Sequence, residues 1–531
     1  MELVYLWVED YKNIQKQGFN FSPRFDCKFY DEYEKDENGK EKLKVDCRLE
    51  IKPKEHIENF FGENINVTAI VGKNGSGKSS LLELINKMSY ENPLISPYPI
   101  SSLELEKITI YYDKVKNKLY IYKNKNKIII DNQSSVNDEV QTDKFIQKIL
   151  IPSTPSHNQK EYLLLLNFLI KNNIYFPFDI PKIINFGIHD DYSDLLELIE
   201  SSKFDFHMYY SAFEENEKKR LKIFHILLLL AYLKNYQIDF DIEASKNHDD
   251  IILELENKMN EEIINKIKKF IEVIKNNLEK FSKNPSHYMD IENIPKDFFK
   301  TYIELIKRKT KEELLDFKGK NVFNFNLYPQ MSDGQYQLTY LYNMIYSQVE
   351  KKNILLLIDE GENYLHPNWQ KKYISYIVQF IKDNFSNRKI HIILTSHSPF
   401  LLSDIPKQNI IFLDKDEKGN CKVVDGLKEK KQTFGANIHT LLSDSFFMEE
   451  GLMGEFAKGK IDDVINYLHG KESKIRDNDE AQKLIHIIGE PIVKNQLQRM
   501  LDSKRLQKID EIYAIKQSME AMQKRLDELD R

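Results

Sequence analysis

The sequence feature that most constrains the fold is the stretch 65–85, INVTAIVGKNGSGKSSLLELI. Its apolar, β-branched start predicts a buried strand, its glycine-rich middle predicts a turn, and its end predicts a helix. The phosphate-loop pattern G-x-x-x-x-G-K-S/T falls on residues 72–79, in the strand-to-helix context that this loop requires. A chance glycine-rich turn is the alternative, and the flanking strand and helix argue against it. The chain is therefore expected to fold around an α/β core that binds a nucleoside triphosphate.

The spacing of this loop has a physical reason. Glycines free the backbone to curl its N–H groups around a polyphosphate, and the helix N-terminus adds positive potential. Lys78 supplies a full positive charge, and Ser79 is expected to hold Mg²⁺. The residues expected to line the nucleotide site are Gly72, Asn74, Gly75, Ser76, Gly77, Lys78, Ser79 and Ser80.

Length and composition limit the class of protein. A chain of 531 residues is longer than one core usually organises, so two or three lobes are expected. Its 77 basic and 83 acidic residues leave a formal charge of -6, so nothing global indicates nucleic-acid binding, although a local basic groove stays open. The cysteines, Cys27, Cys47 and Cys421, follow no metal-ligand pattern. No signal-peptide pattern and no run of 18 apolar residues occurs, so we expect a soluble, cytoplasmic protein without membrane contact.

Periodicity divides the chain into segments. Residues 3–8 and 19–25 predict the first strands, and residues 36–42 predict a hairpin tip or a surface loop. Clusters of β-formers at 107–112, 119–122 and 127–130 predict an antiparallel sheet. Apolar residues at three- and four-residue spacing predict helices at 163–170, 224–233 and 252–281. We therefore assign residues 1–142 to the first part of the nucleotide core and residues 143–318 to an inserted helical domain.

The second part of the core, assigned to residues 319–430, holds most of the candidate chemistry. The apolar run 354–358 predicts a strand buried on both faces, and ligands of open α/β sheets bind at the carboxyl ends of such strands. Asp359 follows this run and is expected to hold Mg²⁺ through water, and Glu360 is expected to polarise the attacking water. The strand predicted at 390–397 ends in His397, which would contact the γ-phosphate. An acidic pair or a histidine after a strand is common, but their order behind a phosphate loop favours the functional interpretation.

These motifs resemble those of ABC-type ATPases. The matching segments are 72–79 (Walker A), 332–335 (signature), 359–360 (Walker B), 361–367 (D-loop) and 395–399, TSHSP (switch histidine). The residues of these motifs are similar to those of the SMC-like and OLD-like branch of the ABC-type ATPases. The resemblance implies an ABC/SMC-type P-loop head, which has a mixed sheet with flanking helices and an antiparallel sub-sheet.

The same resemblance implies roles for the signature segment. Ser332, Gly334 and Gln335 would contact the γ-phosphate of ATP, although Met331 and Asp333 depart from the usual leucine and glycine. The Q-loop glutamine stays open between Gln133, Gln141 and Gln147.

The resemblance also implies how the molecule assembles. In such ATPases, the signature serine of one subunit completes the site that the phosphate loop of another subunit builds. One chain with one complete motif set therefore implies a head-to-tail homodimer around two ATP molecules, and a higher oligomer stays open. Hydrolysis and phosphate loss would then relax the heads.

Residues 431–531 are predicted to be a helical partner-binding region. Amphipathic segments occupy 437–468, a helix is expected to begin near Pro491, and the last 20 residues carry a short coiled-coil seam with 3-4-3-4-3 spacing. The seam comprises Ile512, Ile515, Met519, Met522, Leu526 and Leu529. It either packs on its own domain or docks on another subunit or the dimer mate. Residues 415–531 contain no Toprim, HNH or nucleophile pattern, so no intrinsic nuclease is expected.

The segment 433–457, which follows an SMC-like head, resembles the PtuA-type ATPases of bacterial anti-phage systems such as Septu and certain retrons. This resemblance implies a separate PtuB-like HNH endonuclease as partner and, in a retron, a reverse transcriptase with its RNA and DNA. Two other functions stay open. One is an SMC- or RecF-like DNA-maintenance ATPase that contacts DNA, and the other is an ATP-dependent assembly scaffold with negligible turnover.

Two substitutions test the predicted nucleotide site. Lys78→Ala removes the full charge of the phosphate loop, so we expect nucleotide binding to be lost. Glu360→Gln keeps the size of the side chain but removes the base, so we expect a trapped ATP-bound state and hydrolysis lowered about a hundredfold or more. Fluorescent-nucleotide binding and phosphate release measure the two effects. Unchanged hydrolysis in Glu360→Gln would remove Glu360 from its assigned role.

Overall fold

The computed structural model describes residues 1–35, 39, 41–44, 46–87, 107–123, 128–140, 147–153, 159–171, 174–188, 225–226, 228–229, 248–278, 288–291, 294–296, 298–306, 323–424, 432–444 and 453–529. The chain divides into two units, Met1–Phe447 and Met448–Arg531, which are described separately below. Among the described helices, none is long and apolar enough to cross a membrane.

The strands of the described residues are β1 (Glu2–Tyr11), β2 (Ile14–Asn20), β3 (Phe25–Tyr30), β4 (Tyr33–Lys35), β5 (Glu41–Leu43), β6 (Cys47–Pro53), β7 (Ile65–Gly72), β8 (Lys107–Asp113), β9 (Lys118–Lys123), β10 (Ile128–Asn132), β11 (Asn137–Val140), β12 (Gln147–Ile151), β13 (Ile183–Ile188), β14 (Tyr288–Asp290), β15 (Phe323–Tyr328), β16 (Asn353–Asp359), β17 (Lys389–Ser396), β18 (Ile410–Lys415) and β19 (Cys421–Val424). The helices are α1 (Lys78–Lys87), α2 (Gln159–Lys171), α3 (His248–Glu256), α4 (Glu261–Leu278), α5 (Phe298–Ile306), α6 (Asp333–Gln348), α7 (Pro367–Gln370), α8 (Tyr373–Asn384), α9 (Pro399–Ser403), α10 (Ile438–Asp444), α11 (Glu455–Leu468), α12 (Asn478–Ile487) and α13 (Pro491–Leu529), with a 3-10 turn at Lys407–Asn409.

A six-stranded sheet carries the predicted nucleotide core, in the order β12-β16-β17-β7-β18-β19. All neighbouring pairs are parallel except β18 and β19. The strand that leads into the phosphate loop, β7, is next to β17, and β17 is next to β16. Because the carboxyl ends of parallel strands meet at one edge, the three predicted motifs that follow these strands come together there.

The composition of the central strands explains their burial. In β16, Leu355 and Leu357 point into a cluster with α1 and the N-terminal strands, whereas Leu356 points into a cluster with α6 and α8. Strand β7 divides its residues in the same way, with Ile70 on one face and Val67 on the other. A parallel sheet covered on both faces requires such continuous apolar runs.

The strands around this core differ in part from the sequence prediction. Strands β8 and β9 pair antiparallel, as expected, within a sheet of order β11-β9-β8-β1-β2. Strand β10, predicted to join them, instead pairs parallel with β6 in a separate sheet, and β11 pairs parallel with β9. The strand predicted at 19–25 is divided between β2 and β3. The hairpin predicted around residues 36–42 is present as the antiparallel pair of β4 and β5.

The segment assigned to a helical insertion, 143–318, also contains strands. Strand β12 belongs to the central sheet, because Gln147–Ile151 pairs with Ile354–Ile358 of β16. Strands β13 and β14 form a small antiparallel sheet with β15. The helix predicted at 252–281 is interrupted between α3 and α4, where the Asn260 side chain accepts a hydrogen bond from the N–H of Glu262 (2.7 Å). Most of the helix predicted at 224–233 lies outside the described residues.

The C-terminal unit consists of α11, α12 and α13 in its described part. Its core contains Val464, Ala481, Ile485, Leu497 and Leu501. The helix expected near Pro491 is present and continues to Leu529, over 39 residues. This unit is Met448–Arg531, and helix α10, which lies within the predicted region 431–531, packs on α9 in the first unit.

Candidate functional site

The phosphate loop lies between the end of β7 and the start of α1. Gly75 and Gly77 have backbone φ angles of +74° and +104°. Residues with a side chain rarely adopt such angles, so the curled backbone needs glycine at both positions. A Cβ on Gly72 would lie 2.2 Å from the carbonyl oxygen of Leu413, so a third glycine allows close packing on β18. The remaining predicted members are Asn74, exposed at the tip; Ser76, buried; and Ser79 and Ser80, in the first turn of α1.

The Lys78 side chain is buried within the phosphate loop. Its Nζ donates hydrogen bonds to the carbonyl oxygens of Gly72 (3.0 Å) and Lys73 (3.2 Å), and its side chain is buried. Burial lowers the pKa of Lys78, and the carboxylates of Glu360 and Asp359 oppose that shift. The Lys78 ammonium and these carboxylates thus act on one another, and a site for Mg²⁺ and triphosphate requires charges of both signs.

Asp359 and Ser79 lie together at the sheet edge. The Ser79 hydroxyl donates to Asp359 Oδ1 (3.3 Å), and the Thr395 hydroxyl donates to the same oxygen (2.6 Å). Within the described residues, no group of three or more His, Cys, Asp or Glu side chains could hold a metal ion. One carboxylate and one hydroxyl fit Mg²⁺, which keeps several waters and takes few protein ligands beside substrate phosphates. Ser79 and Asp359 would hold this ion.

Glu360 and His397 form a contact at the same edge. Their Oε1 and Nε2 atoms are 3.1 Å apart, and the Asn363 amide donates to Glu360 Oε2 (3.1 Å). Glu360 has a φ angle of +46°, which is strained for a residue other than glycine, and its N–H donates to the Thr395 hydroxyl (2.9 Å). Burial and then the charge of Lys78 lower the pKa of His397, against the effect of Glu360. The Glu360 carboxylate, oriented by His397 and Asn363, can bind a water molecule and accept its proton.

The signature segment forms the N-terminus of α6. The Ser332 hydroxyl accepts from the N–H of Gln335 (3.4 Å), and the Gln335 side chain accepts from the N–H of Ser332 (2.8 Å), which is a capping box. Ser332 is exposed. A Cβ on Gly334 would lie 3.1 Å from the carbonyl oxygen of Tyr364, so this turn packs closely on the segment 361–367.

Of the candidate Q-loop glutamines, the two within the described residues, Gln133 and Gln147, do not lie at this edge. Gln147 begins β12 opposite Ile354, so it occupies the amino edge of the sheet, where its side chain bonds the backbone of Gln348 (2.5 Å) and Glu350 (3.1 Å). Gln133 follows β10 in another sheet and donates to Glu50 and Asp131. Gln141 lies outside the described residues. At the carboxyl end of β12, which lies at the edge of the predicted site, the chain continues with Pro152, and the next helix, α2, begins at Gln159.

Several residues of the site were missed by sequence reasoning. Thr395 bonds both Asp359 and Glu360, and Glu362 is buried beneath the loop of His397. Asn13, in the turn between β1 and β2, donates to the carbonyl oxygen of Gly75 (3.1 Å). The sequence segments TSHSP and DEGEN contained Thr395 and Glu362, but no local pattern separates these residues from ordinary polar positions.

The chain is similar to a described domain family and to solved structures. A family model described as "AAA domain, putative AbiEii toxin, Type IV TA system" matches residues 183–403, which include the signature, Walker B and switch-histidine segments. Among solved structures, the chain is similar to the Smc head domain with an extended coiled coil bound to the C-terminal domain of ScpA, from Pyrococcus furiosus, at 14% identity and a TM-score of 0.26, covering 80% of this chain and 96% of that one. It is also similar to the SmcHead bound to the C-winged helix domain of ScpA, at 12% identity and a TM-score of 0.24, covering 80% and 97%.

The strand order and the strand–loop–helix element define the fold class. The described residues form a P-loop fold with a mixed sheet, flanking helices and added C-terminal helices, which confirms this part of the predicted fold class.

Thr395→Val tests the geometry of the metal and water site. Valine keeps the shape of threonine but loses the hydroxyl that bonds Asp359 and receives the N–H of Glu360. A lost hydrogen bond to a charged group costs about 1.5–3 kcal/mol, so we expect the Mg²⁺ concentration for half-maximal hydrolysis to rise about tenfold and kcat to fall. Thr395→Ser, which keeps the hydroxyl, should stay near the wild type. A valine variant with wild-type Mg²⁺ dependence would contradict this role of Thr395.

Proposed function

We propose that the chain is the ATP-binding and ATP-hydrolysing subunit of a bacterial anti-phage defence complex, which dimerises around Mg·ATP and controls a partner HNH nuclease in the cytoplasm. The observation that carries the ATPase part is the contact of Glu360 with His397 beside the Lys78 loop. Asp359 and Ser79 would hold Mg²⁺, Lys78 would bind the β- and γ-phosphates, and Glu360 would polarise the attacking water.

Exposure of the signature turn supports a composite site. Ser332 lies at the surface, and its hydroxyl and peptide are ordered by the capping box with Gln335. The positive end of α6 at this turn suits a phosphate group presented by another molecule. A second copy that offers its Lys78 loop would supply such a phosphate, and two such sites arise from one two-fold dimer.

Mixing two inactive variants tests the composite site. Lys78→Ala loses the phosphate loop and keeps the signature turn, whereas Ser332→Arg keeps the loop and blocks the turn with a bulky cation. Each variant alone should be inactive. In an equal mixture, half of the dimers would contain both chains and one intact composite site, so we expect about a quarter of wild-type phosphate release.

The matched control replaces one partner by the double variant Lys78→Ala/Ser332→Arg. No pairing with either single variant then rebuilds an intact site, so activity should stay at background. Equal activity of the mixture and of this control would exclude a site shared between two chains.

The nuclease part of the proposal rests on the tail. The resemblance of 433–457 to PtuA-type ATPases supports an HNH partner, and a retron reverse transcriptase with its RNA and DNA would be an additional partner. Co-purification of the chain with the product of an adjacent HNH reading frame tests this part. We expect nuclease activity only from the complex, with a nucleotide dependence that Glu360→Gln alters. A chain that never binds such a partner contradicts the defence function and leaves the ATPase site intact.

A DNA-maintenance ATPase is the second candidate, and lysine-rich segments at 218–222, 265–269 and 307–311 favour it. Of these, only 265–269 lies in the described residues, on α4. There Lys266 pairs with Glu262 (2.9 Å) and Lys268 pairs with Glu256 (2.8 Å), so part of its charge is neutralised. Stimulation of hydrolysis by DNA, decreasing with salt, would favour this candidate. ATP binding without turnover would favour an assembly scaffold.

A further inference from the structure

The distal half of α13 carries a line of exposed apolar side chains. Leu497 and Leu501, in the proximal half, are buried against the other helices of the C-terminal unit. In contrast, every residue from Leu506 to Leu526 is exposed. The exposed line comprises Ile512, Ile515, Met519, Met522 and Leu526, which are between 47% and 68% exposed. Their alternating spacing of three and four residues places them on one face of the helix.

Exposure of this apolar line to water is unfavourable for a helix without a partner. Most of the stability of a helix in a protein comes from packing of its apolar face, and a partner helix would remove this exposed line from water. The seven-residue repeat of the line fits a coiled coil better than a groove on a globular partner, because a 3.5-residue period keeps the seam facing another helix.

The charges beside the line are complementary to a second copy of the same helix. With Ile512 at heptad position a, Glu511 occupies a g position and Lys516 occupies an e position. In a parallel, in-register pair, a g residue of one helix faces the e residue five positions later on the other. Glu511 of each chain would therefore face Lys516 of the other, and this contact joins opposite charges.

We propose that the segment 506–529 of α13 is a parallel coiled-coil interface with a second copy of this chain. The interface contains no residue of the phosphate loop or of the signature turn, so it forms without nucleotide. Each chain then has two separate surfaces for self-association, one that requires ATP and one that does not. If the two surfaces join different copies, they build an assembly larger than a dimer.

Sedimentation of the full chain without nucleotide tests this interface, and a Lys78→Ala background removes any contribution of ATP. We expect a dimer at about 10 µM protein. Ile515→Lys places a charge in the seam and should give a monomer. Ala514→Lys adds the same charge on the outer face of the same helix turn, where the residue is exposed, and should leave the dimer intact.

A cysteine cross-link tests the register. Cys27, Cys47 and Cys421 are buried, so a new cysteine on α13 provides an exposed thiol without competition from them. Leu526→Cys should form an intermolecular disulfide under mild oxidation, and Lys524→Cys, on the outer face, should not. A monomeric Lys78→Ala chain, or equal effects of Ile515→Lys and Ala514→Lys, would overturn the interface. A dimer without the Leu526→Cys cross-link would overturn the parallel register.

A different observation concerns the buried carboxyl of Glu362. This side chain is 3% exposed and lies in the segment that follows Glu360. Its Oε1 accepts hydrogen bonds from the Ser396 hydroxyl and from the N–H of His397 (3.3 Å). The same Ser396 hydroxyl accepts from the N–H of Ser398 (2.9 Å). One carboxyl oxygen of Glu362 thus fixes the backbone at Ser396 and His397 through these hydrogen bonds.

The other oxygen of Glu362 is unusual. Within the described residues, Oε2 is buried without a hydrogen-bond partner, and so is the hydroxyl of Tyr373. Burial raises the pKa of Glu362 to about 7, the bonds from Ser396 and His397 oppose the shift, and Glu360 adds to it. The titratable groups that face this carboxyl are Glu360, His397, Lys78 and Tyr373.

We infer that Glu362 is a positioning residue for hydrolysis, which acts through the peptide of His397 on the contact between His397 and Glu360. This inference rests on the proposed ATPase function. A carboxyl that fixes this peptide fixes the imidazole, and the imidazole fixes the Oε1 atom that would face the attacking water. Loss of the carboxyl would therefore lower turnover more than nucleotide binding.

Steady-state hydrolysis by Glu362→Ala and Glu362→Gln tests the role. Alanine removes the acceptor of the His397 N–H, so we expect kcat to fall about tenfold or more while KM for ATP changes less than about threefold. Glutamine keeps an acceptor but cannot ionise. It should restore most of the activity and remove the part of the pH dependence near pH 7 that Glu362 contributes.

The exposed Glu350→Ala serves as the control and should behave as the wild type. Wild-type kcat in Glu362→Ala, or a rise in KM as large as the fall in kcat, would overturn the positioning role while the ATPase function stands. A glutamine variant as poor as the alanine variant would also overturn it. If the wild type turns over no ATP, the proposed function fails first, and this inference fails with it.

Discussion

The site depends on the register between two parallel strands. Asp359 at the end of β16 lies opposite Thr395 of β17, and Thr395 lies opposite Ile70 of the strand that enters the phosphate loop. The Thr395 hydroxyl can therefore donate to Asp359 and accept from the N–H of Glu360 at the same time. A slip of one residue would turn every side chain of β17 to the other face and separate these groups.

Charge at this edge is concentrated and only partly neutralised by protein groups. The Lys78 ammonium bonds backbone carbonyls, and Glu360 bonds a half-buried histidine and an asparagine amide. Taking such groups out of water costs free energy unless they are paired. Triphosphate and Mg²⁺ would supply the missing opposite charges, which explains why binding of the nucleotide can stabilise one arrangement of the loops.

The two units differ in how completely they bury their apolar side chains. The head covers both faces of its central sheet, whereas the C-terminal unit buries only the proximal half of α13. The distal half leaves its apolar line in water. An exposed apolar line of this kind is typical of a surface that contacts another chain.

The sequence by itself determined the phosphate loop, the acidic end of β16 and the histidine after β17, because local patterns of glycine, apolar runs and strand ends encode them. It also predicted the start of α13 and its seam. Only the tertiary structure decided that β10 leaves the antiparallel sheet, that Gln147 lies at the wrong edge, and that Thr395 and Glu362 belong to the site. Strand order, register and burial arise from contacts between residues far apart in the chain, and no local pattern carries that information.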